Sequence, residues 1–298
     1  MRRAPRDGLR ESQNGGVYIV KKRNHFLTGF GVVMLITMVL VLGASNTPAQ
    51  QTQKPDPRRA KVLAAFEQTR RTLVETSSPD DVVKDFELAR RQIQSGDVDQ
   101  ALISLGRTMS REARKPTFRV LWASFDRIVQ EYEKFDQAIL FMQELVILHP
   151  NLADPRAGLA AAYGEYASAF ERAQPPNLPE VIRYANLSLQ HLDVALALEP
   201  DNFMARLGRG ITYSYSPGGL KGAEEDFKQL LVLQVMQKHP WYPYQMVYFY
   251  YADTLKRHDK RERAAEILRL GLTYYPLDEN LKKELEGISR TSARNTSK

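Results

Sequence analysis

Cysteine is absent from all 298 residues. That absence excludes disulfides, thiolate metal sites, covalent haem attachment, cysteine nucleophiles and the lipid-modified cysteine of a bacterial lipoprotein. Metal-ligand spacing is also missing, because the five His are scattered and no His-Glu-x-x-His occurs. His149 and His239 stand directly before prolines, where a helix-end cation meets the negative end of the helix dipole. The glycine clusters Gly208-Arg209-Gly210 and Gly218-Gly219 lack the spacing of a phosphate loop and follow no strand pattern. Charge of one sign is scarce in the body of the chain. The net charge is +7, but residues 1–49 hold seven basic side chains against Asp7 and Glu11, leaving 35 basic and 33 acidic residues elsewhere. A body so near neutrality offers little counterion release to a phosphate backbone, so no nucleic-acid partner is expected. No cofactor, metal or catalytic constellation is expected either, and the chain reads as a binding protein, not an enzyme.

Long apolar runs are nearly absent too, with one exception. Lys21-Lys22-Arg23 precedes an uncharged stretch from Phe26 to Ala44 that is almost wholly apolar between Val32 and Leu42. A basic cluster is held on the cytoplasmic side while such a run enters the bilayer, and about 19 residues suffice to cross it. Small residues at Gly43-Ala44-Ser45 and Thr47-Pro48-Ala49 suit signal cleavage. Two outcomes stay open: a cleaved signal that releases the body, or a single-pass anchor with its C-terminus outside. Either makes the body extracytoplasmic, periplasmic or part of the cell envelope. Residues 50–81 then read as a polar, proline-bearing tether followed by one amphipathic helix whose stripe is Val62, Phe66, Thr69 and Leu73.

From residue 82 a period near 34 residues takes over. The unit 119–152 carries Trp122, Phe125, Ala138, Met142 and Pro150 at positions 4, 7, 20, 24 and 32. The unit 245–278 fills the pattern with Tyr248, Tyr251, Ala252, Leu255, Ala264, Leu268, Gly271 and Pro276. The unit 82–115 places Leu88, Ala89, Gly96, Ala101 and Leu105 in register, with Ala113 where proline is expected. In this pattern the chain resembles the tetratricopeptide repeat family, over about residues 82–278. Small residues sit where paired helices approach, and large ones fill the space between pairs. The resemblance implies an all-α, right-handed superhelix of about five helix pairs over residues 82–290, closed by a capping helix. The units 153–202 and 203–244 are enlarged, the first around Pro175-Pro176 and the second around Ser216-Pro217-Gly218-Gly219. Residues 291–298 are expected to fray.

The resemblance also implies a concave groove lined by fixed positions of each first helix. In this chain those positions hold Phe86, Arg90, Ile93, Arg127, Gln130, Glu131, Glu165, Tyr215, Phe249, Asp253, Lys256 and Arg257. Mixed aromatic and charged lining suits an extended peptide. Trp241 and Tyr244 add an aromatic patch outside the repeat register. The carboxylate clamp of chaperone-binding members is not present in its usual form, since Phe86 and Arg90, then Asp154 and Ala157, stand at its positions. The expected function is a non-enzymatic scaffold or adaptor of the cell envelope that binds a protein or peptide, with the membrane a further partner if the leader is uncut. The alternative is a transporter-associated protein binding a small ligand in an apolar pocket near 241–249.

Overall fold

The computed structural model describes residues 56–216, 218–238 and 242–296. All lie within one compact unit, residues 53–298. The leader, the apolar run 26–44, most of the tether, His239, Pro240 and Trp241 fall outside the described residues. Among the described residues there is no strand, and no helix is long and apolar enough to cross a membrane.

Twelve α-helices follow one another among these residues. Helix α1 (Pro57–Glu75) precedes five hairpins: α2 (Asp80–Ser95) with α3 (Val98–Glu112), α4 (Thr117–Tyr132) with α5 (Phe135–Leu148), α6 (Ala153–Arg172) with α7 (Leu178–Leu198), α8 (Phe203–Ser214) with α9 (Leu220–Val235), and α10 (Gln245–Arg257) with α11 (Arg261–Tyr274). Helix α12 (Glu279–Thr296) closes the array against α10 and α11, and its backbone continues past Thr291.

Local chemistry sets the ends. Asp56 accepts a hydrogen bond from the Arg58 amide at 3.0 Å, and Pro57 occupies the first turn, where its missing N–H costs nothing. Asp97, Asn177 and Asn202 cap α3, α7 and α8 in the same way. Asp278 accepts from the Asn280 and Leu281 amides to start α12. Gly96 ends α2 in the left-handed conformation, φ 89°. At three C-termini the repeat proline acts on its neighbour. His149, Glu199 and Tyr275, each just before a proline, leave helical geometry at φ −131°, −139° and −127°. The proline ring clashes with an α-helical residue ahead of it, so the helices stop at Leu148, Leu198 and Tyr274.

Packing follows the hairpin plan, with one departure at the start. The stripe Val62, Phe66, Thr69 and Leu73 is buried throughout. It is seated between α2 and α4, which barely meet each other, so α1 to α4 close into a ring of four helices. Phe66 stacks on Phe86 at 4.9 Å, and the buried Ser124 hydroxyl donates to Thr69 Oγ1 at 2.8 Å. Further along, the core divides. One cluster runs from α1 to α6 and another from α8 to α12. Between them lies a thin joint of small side chains, Ala153, Ala157, Ala160, Ala195 and Ala205, with Leu192 and Leu196.

Candidate functional site

The superhelix turns its first helices inward. Helix α6 touches the first helices on both sides of it, α4 and α8. Gly158 lies so close to Trp122 and Met142 that an added Cβ would sit 3.1 Å from the Met142 sulfur. Gly208 on α8 stands equally close to Leu192 of α7. Small residues here let α6 and α8 each pack closely against the hairpin before it.

Three ionisable groups meet across this face from three different helices. Asp126 of α4 is half-buried and accepts from Gln130 Nε2 at 2.7 Å. Burial, then the Glu165 carboxylate of α6, push its carboxyl up to about 7. Glu165 is raised by burial, against the pull of Arg172 and Arg127. Tyr250 of α10 is raised by burial and then by Glu165 and Asp126. The Glu165 carboxylate makes Asp126 harder to ionise, and no Lys or Arg ion pair holds either among the described residues. Beside them the Arg257 guanidinium lies 4.2 Å from the Tyr215 ring centroid, donates to Tyr215 Oη at 3.1 Å and grips Asp253 at 2.8 Å. Lys256 joins Asp253 at 3.3 Å and reaches Glu284 of α12.

Arg119, whose side chain is 10% exposed, ties the starts of successive hairpins together. Its Nε donates to Asp154 at 2.6 Å and its Nη2 to both Glu199 oxygens at 2.8 Å. Its Nη1 donates to the Tyr242 hydroxyl, 123 positions away in the chain. Asn202 ties Asp154 and Glu199 together at 2.7 and 2.9 Å. Burial raises Asp154 and Tyr242, while the surrounding carboxylates keep Arg119 charged.

The residues expected to line the groove part into two groups. Most of those of the first two units are engaged with α1 or with its ion-pair partners, while Gln130 donates to Asp126 on its own helix. Phe86 and Ile93 are fully buried, so neither has surface to offer a partner. Arg90 is half-buried against Glu87, which Arg70 of α1 also holds. Glu131 is shared by Lys61 of α1 at 3.0 Å and Arg127 at 3.5 Å. The C-terminal group, Tyr215, Asp253, Lys256 and Arg257, is brought together, with Phe249 half-buried and edge-on to Tyr250. Tyr244 is no surface aromatic. It is 3% exposed, donates to the Lys238 carbonyl at 2.7 Å and packs edge-on to Phe203. With Tyr242 stacked on Phe203 at 4.2 Å, core side chains occupy the place where an apolar ligand pocket was expected. Asp126, Tyr250, Arg172 and Arg119 were missed. Asp126 carried a signal, since it fills repeat position 8, where the pattern calls for a small residue.

No family model matches the chain, and no curated protein matches it. Solved structures do. A thermophilic tetratricopeptide-repeat protein from Thermus thermophilus is 18% identical, with TM-score 0.52 over 70% of this chain and 98% of its own. The fold is a tetratricopeptide-type solenoid. A tetratricopeptide repeat protein from Parabacteroides merdae, 17% identical, gives TM-score 0.46 over 74% of this chain and 76% of its own. A Bacteroides ovatus structure described as a putative protein binding protein gives 0.26 at 20% identity, over 72% and 98%. Neither of these last two is close enough to carry an argument.

Proposed function

We propose that this chain is a non-enzymatic scaffold that holds an extended peptide along the inner face of α6, α8 and α10. The observation that carries the reading is the row Glu165, Tyr250, Tyr215, Asp253 and Arg257. It combines rigid aromatic rings with charges of both signs and is drawn from α6, the C-cap of α8 and α10. Aromatic anchors supply contact area at low entropic cost, while charges fix direction and register. The first two units contribute support, since α1 occupies their share of the groove. The body works outside the cytoplasmic membrane, delivered or held by residues 26–44, whose basic flank and apolar length support export.

The test places a photo-crosslinking amino acid at Phe249 in the native host. A protein adduct is expected. The yield should fall at least tenfold when Tyr215→Ala and Arg257→Glu are combined, with the melting temperature unchanged. Adducts that persist in the groove variant would place binding elsewhere. Protease added to intact spheroplasts should digest the body, and its protection would refute the extracytoplasmic placement.

A further inference from the structure

Helix α1 leads the array and belongs to none of its five hairpins. Its seat lies between α2 and α4, and the contacts that hold it join residues far apart in the chain. Lys61 reaches Glu131, 70 positions away, at 3.0 Å, and Thr69 meets Ser124, 55 positions away, at 2.8 Å. Neither contact depends on which chain supplies the helix. What ties α1 to its own chain is the connection to α2, the four residues Thr76 to Pro79. That connection is strained. Ser77 stands at φ 51°, in the left-handed region that a side chain disfavours, whereas the next connection places Gly96 there. Pro79 follows at ψ 142°, and its ring favours an extended residue ahead of it. The hinge therefore prefers to run straight, and seating α1 on its own chain bends it. Glu133, Gln237 and Asp259 share the left-handed geometry, but they lie inside the array, where straightening would break the stack.

The first hairpin is also uncovered on one side. Leu88, Phe125 and Tyr251 hold the same place, position 7, in their repeat units. Tyr251 stacks on Phe227 of the hairpin before it at 5.4 Å and is 2% exposed, and Phe125 is 1% exposed. Leu88 is 42% exposed, because α1 sits on α4 as well as α2 and does not stand in for a preceding hairpin. At the other end α12 covers α10 and α11, so copies cannot extend the array head to tail. We infer that two copies exchange α1, each helix seated between α2 and α4 of the other copy, about a two-fold axis beside the α1–α2 connection. Exchange keeps every contact of the seat, lets Ser77 leave the left-handed region and sets a second copy at the uncovered end of the array. A short hinge under strain is the device that favours exchange over closure.

The absence of native cysteine makes the test direct. The Thr69 and Ser124 hydroxyls touch, so Thr69→Cys with Ser124→Cys in one full-length chain sets two sulfurs within disulfide reach. After mild oxidation in cells, exchange joins two chains through this bond. A reducible species of twice the single-chain mass is expected on a denaturing gel. Either cysteine alone should give none, because the seat then pairs a thiol with a hydroxyl. The hinge supplies a second measurement that needs no cysteine. Light scattering from the purified full chain should show a dimer. Ser77→Gly, which removes the strain, should weaken its association about fivefold or more. Ser77→Pro, whose ring forbids a positive φ, should strengthen association by a similar factor. A disulfide confined to single chains, equal doubled yield from either cysteine alone, a product of another mass, or a dimer fraction indifferent to both hinge variants would each overturn the inference.

Discussion

At the scale of single residues, Asp126 puts a carboxyl where the repeat pattern wants a methyl. In the native state it keeps its proton up to about pH 7, whereas in the unfolded chain it ionises near its ordinary value of 3.8. Between those values the native state holds the extra proton, so stability falls as pH rises through the window. Asp126→Asn keeps the shape and removes the titration. At pH 8 the variant is expected to be more stable by about 1–2 kcal/mol, with little difference at pH 4. Thermal unfolding at the two pH values checks this, and an equal gain at both would point to packing instead of charge. Gly271 shows the opposite demand. A Cβ there would lie 2.8 Å from Tyr248 Cγ and 3.1 Å from a Leu281 methyl. Gly271→Ala is therefore expected to cost about 1–3 kcal/mol by overpacking the α10–α11 contact, read from a denaturant midpoint.

At the scale of elements, the stripe of α1 was legible because Val62, Phe66, Thr69 and Leu73 recur at helical spacing. Where it docks was not legible. Periodicity reports which face of a helix is apolar and says nothing of the surface that covers it. The same gap misplaced Phe86 and Ile93, which the repeat register sends to the groove and α1 then buries. Tyr244 was misread for a related reason. It lies outside the register, and only its hydroxyl contact with the Lys238 carbonyl and its ring contact with Phe203 show that it belongs to the core. Two substitutions measure how firmly α1 is held. Phe66→Ala is expected to cost about 3–5 kcal/mol and to raise amide exchange in α1 before other helices. Ser124→Ala leaves Thr69 with a buried hydroxyl and should cost about 1–2 kcal/mol, while Ser124→Ala with Thr69→Val should recover most of that loss. If the double variant were as unstable as the sum of the singles, the hydroxyl pair would not be the cause.

At the scale of the whole molecule, the hairpin order and the small-large alternation announced a superhelix, but not how its two halves are held. The two large cores meet through a joint lined mostly by alanine, which buries little apolar area per residue. Arg119 spans that joint. It reaches from α4 to the ends of α6 and α7 and on to Tyr242 before α10. No sequence pattern marks a contact between residues 123 positions apart that belong to different repeats. Arg119→Met takes the guanidinium away from the buried Asp154 and from Glu199. The expected cost is about 3–5 kcal/mol, because a buried charge without its partner is far dearer than the pair is favourable. The sharper expectation concerns shape. With the bolt gone, the alanine joint is free to open, so the radius of gyration in small-angle X-ray scattering should increase and the groove crosslink from Phe249 should weaken. Arg206→Met supplies the control. Arg206 pairs with the buried Asp226 of α9 at 3.0 Å, which Arg209 also holds, and donates to the Pro200 carbonyl just before α8 at 2.7 Å, so its contacts stay within residues 200–235 and do not reach α4 or α10. That variant should lose stability without changing the radius of gyration. Equal expansion in both would mean that general loosening, not the Arg119 contact, sets the curvature of the groove.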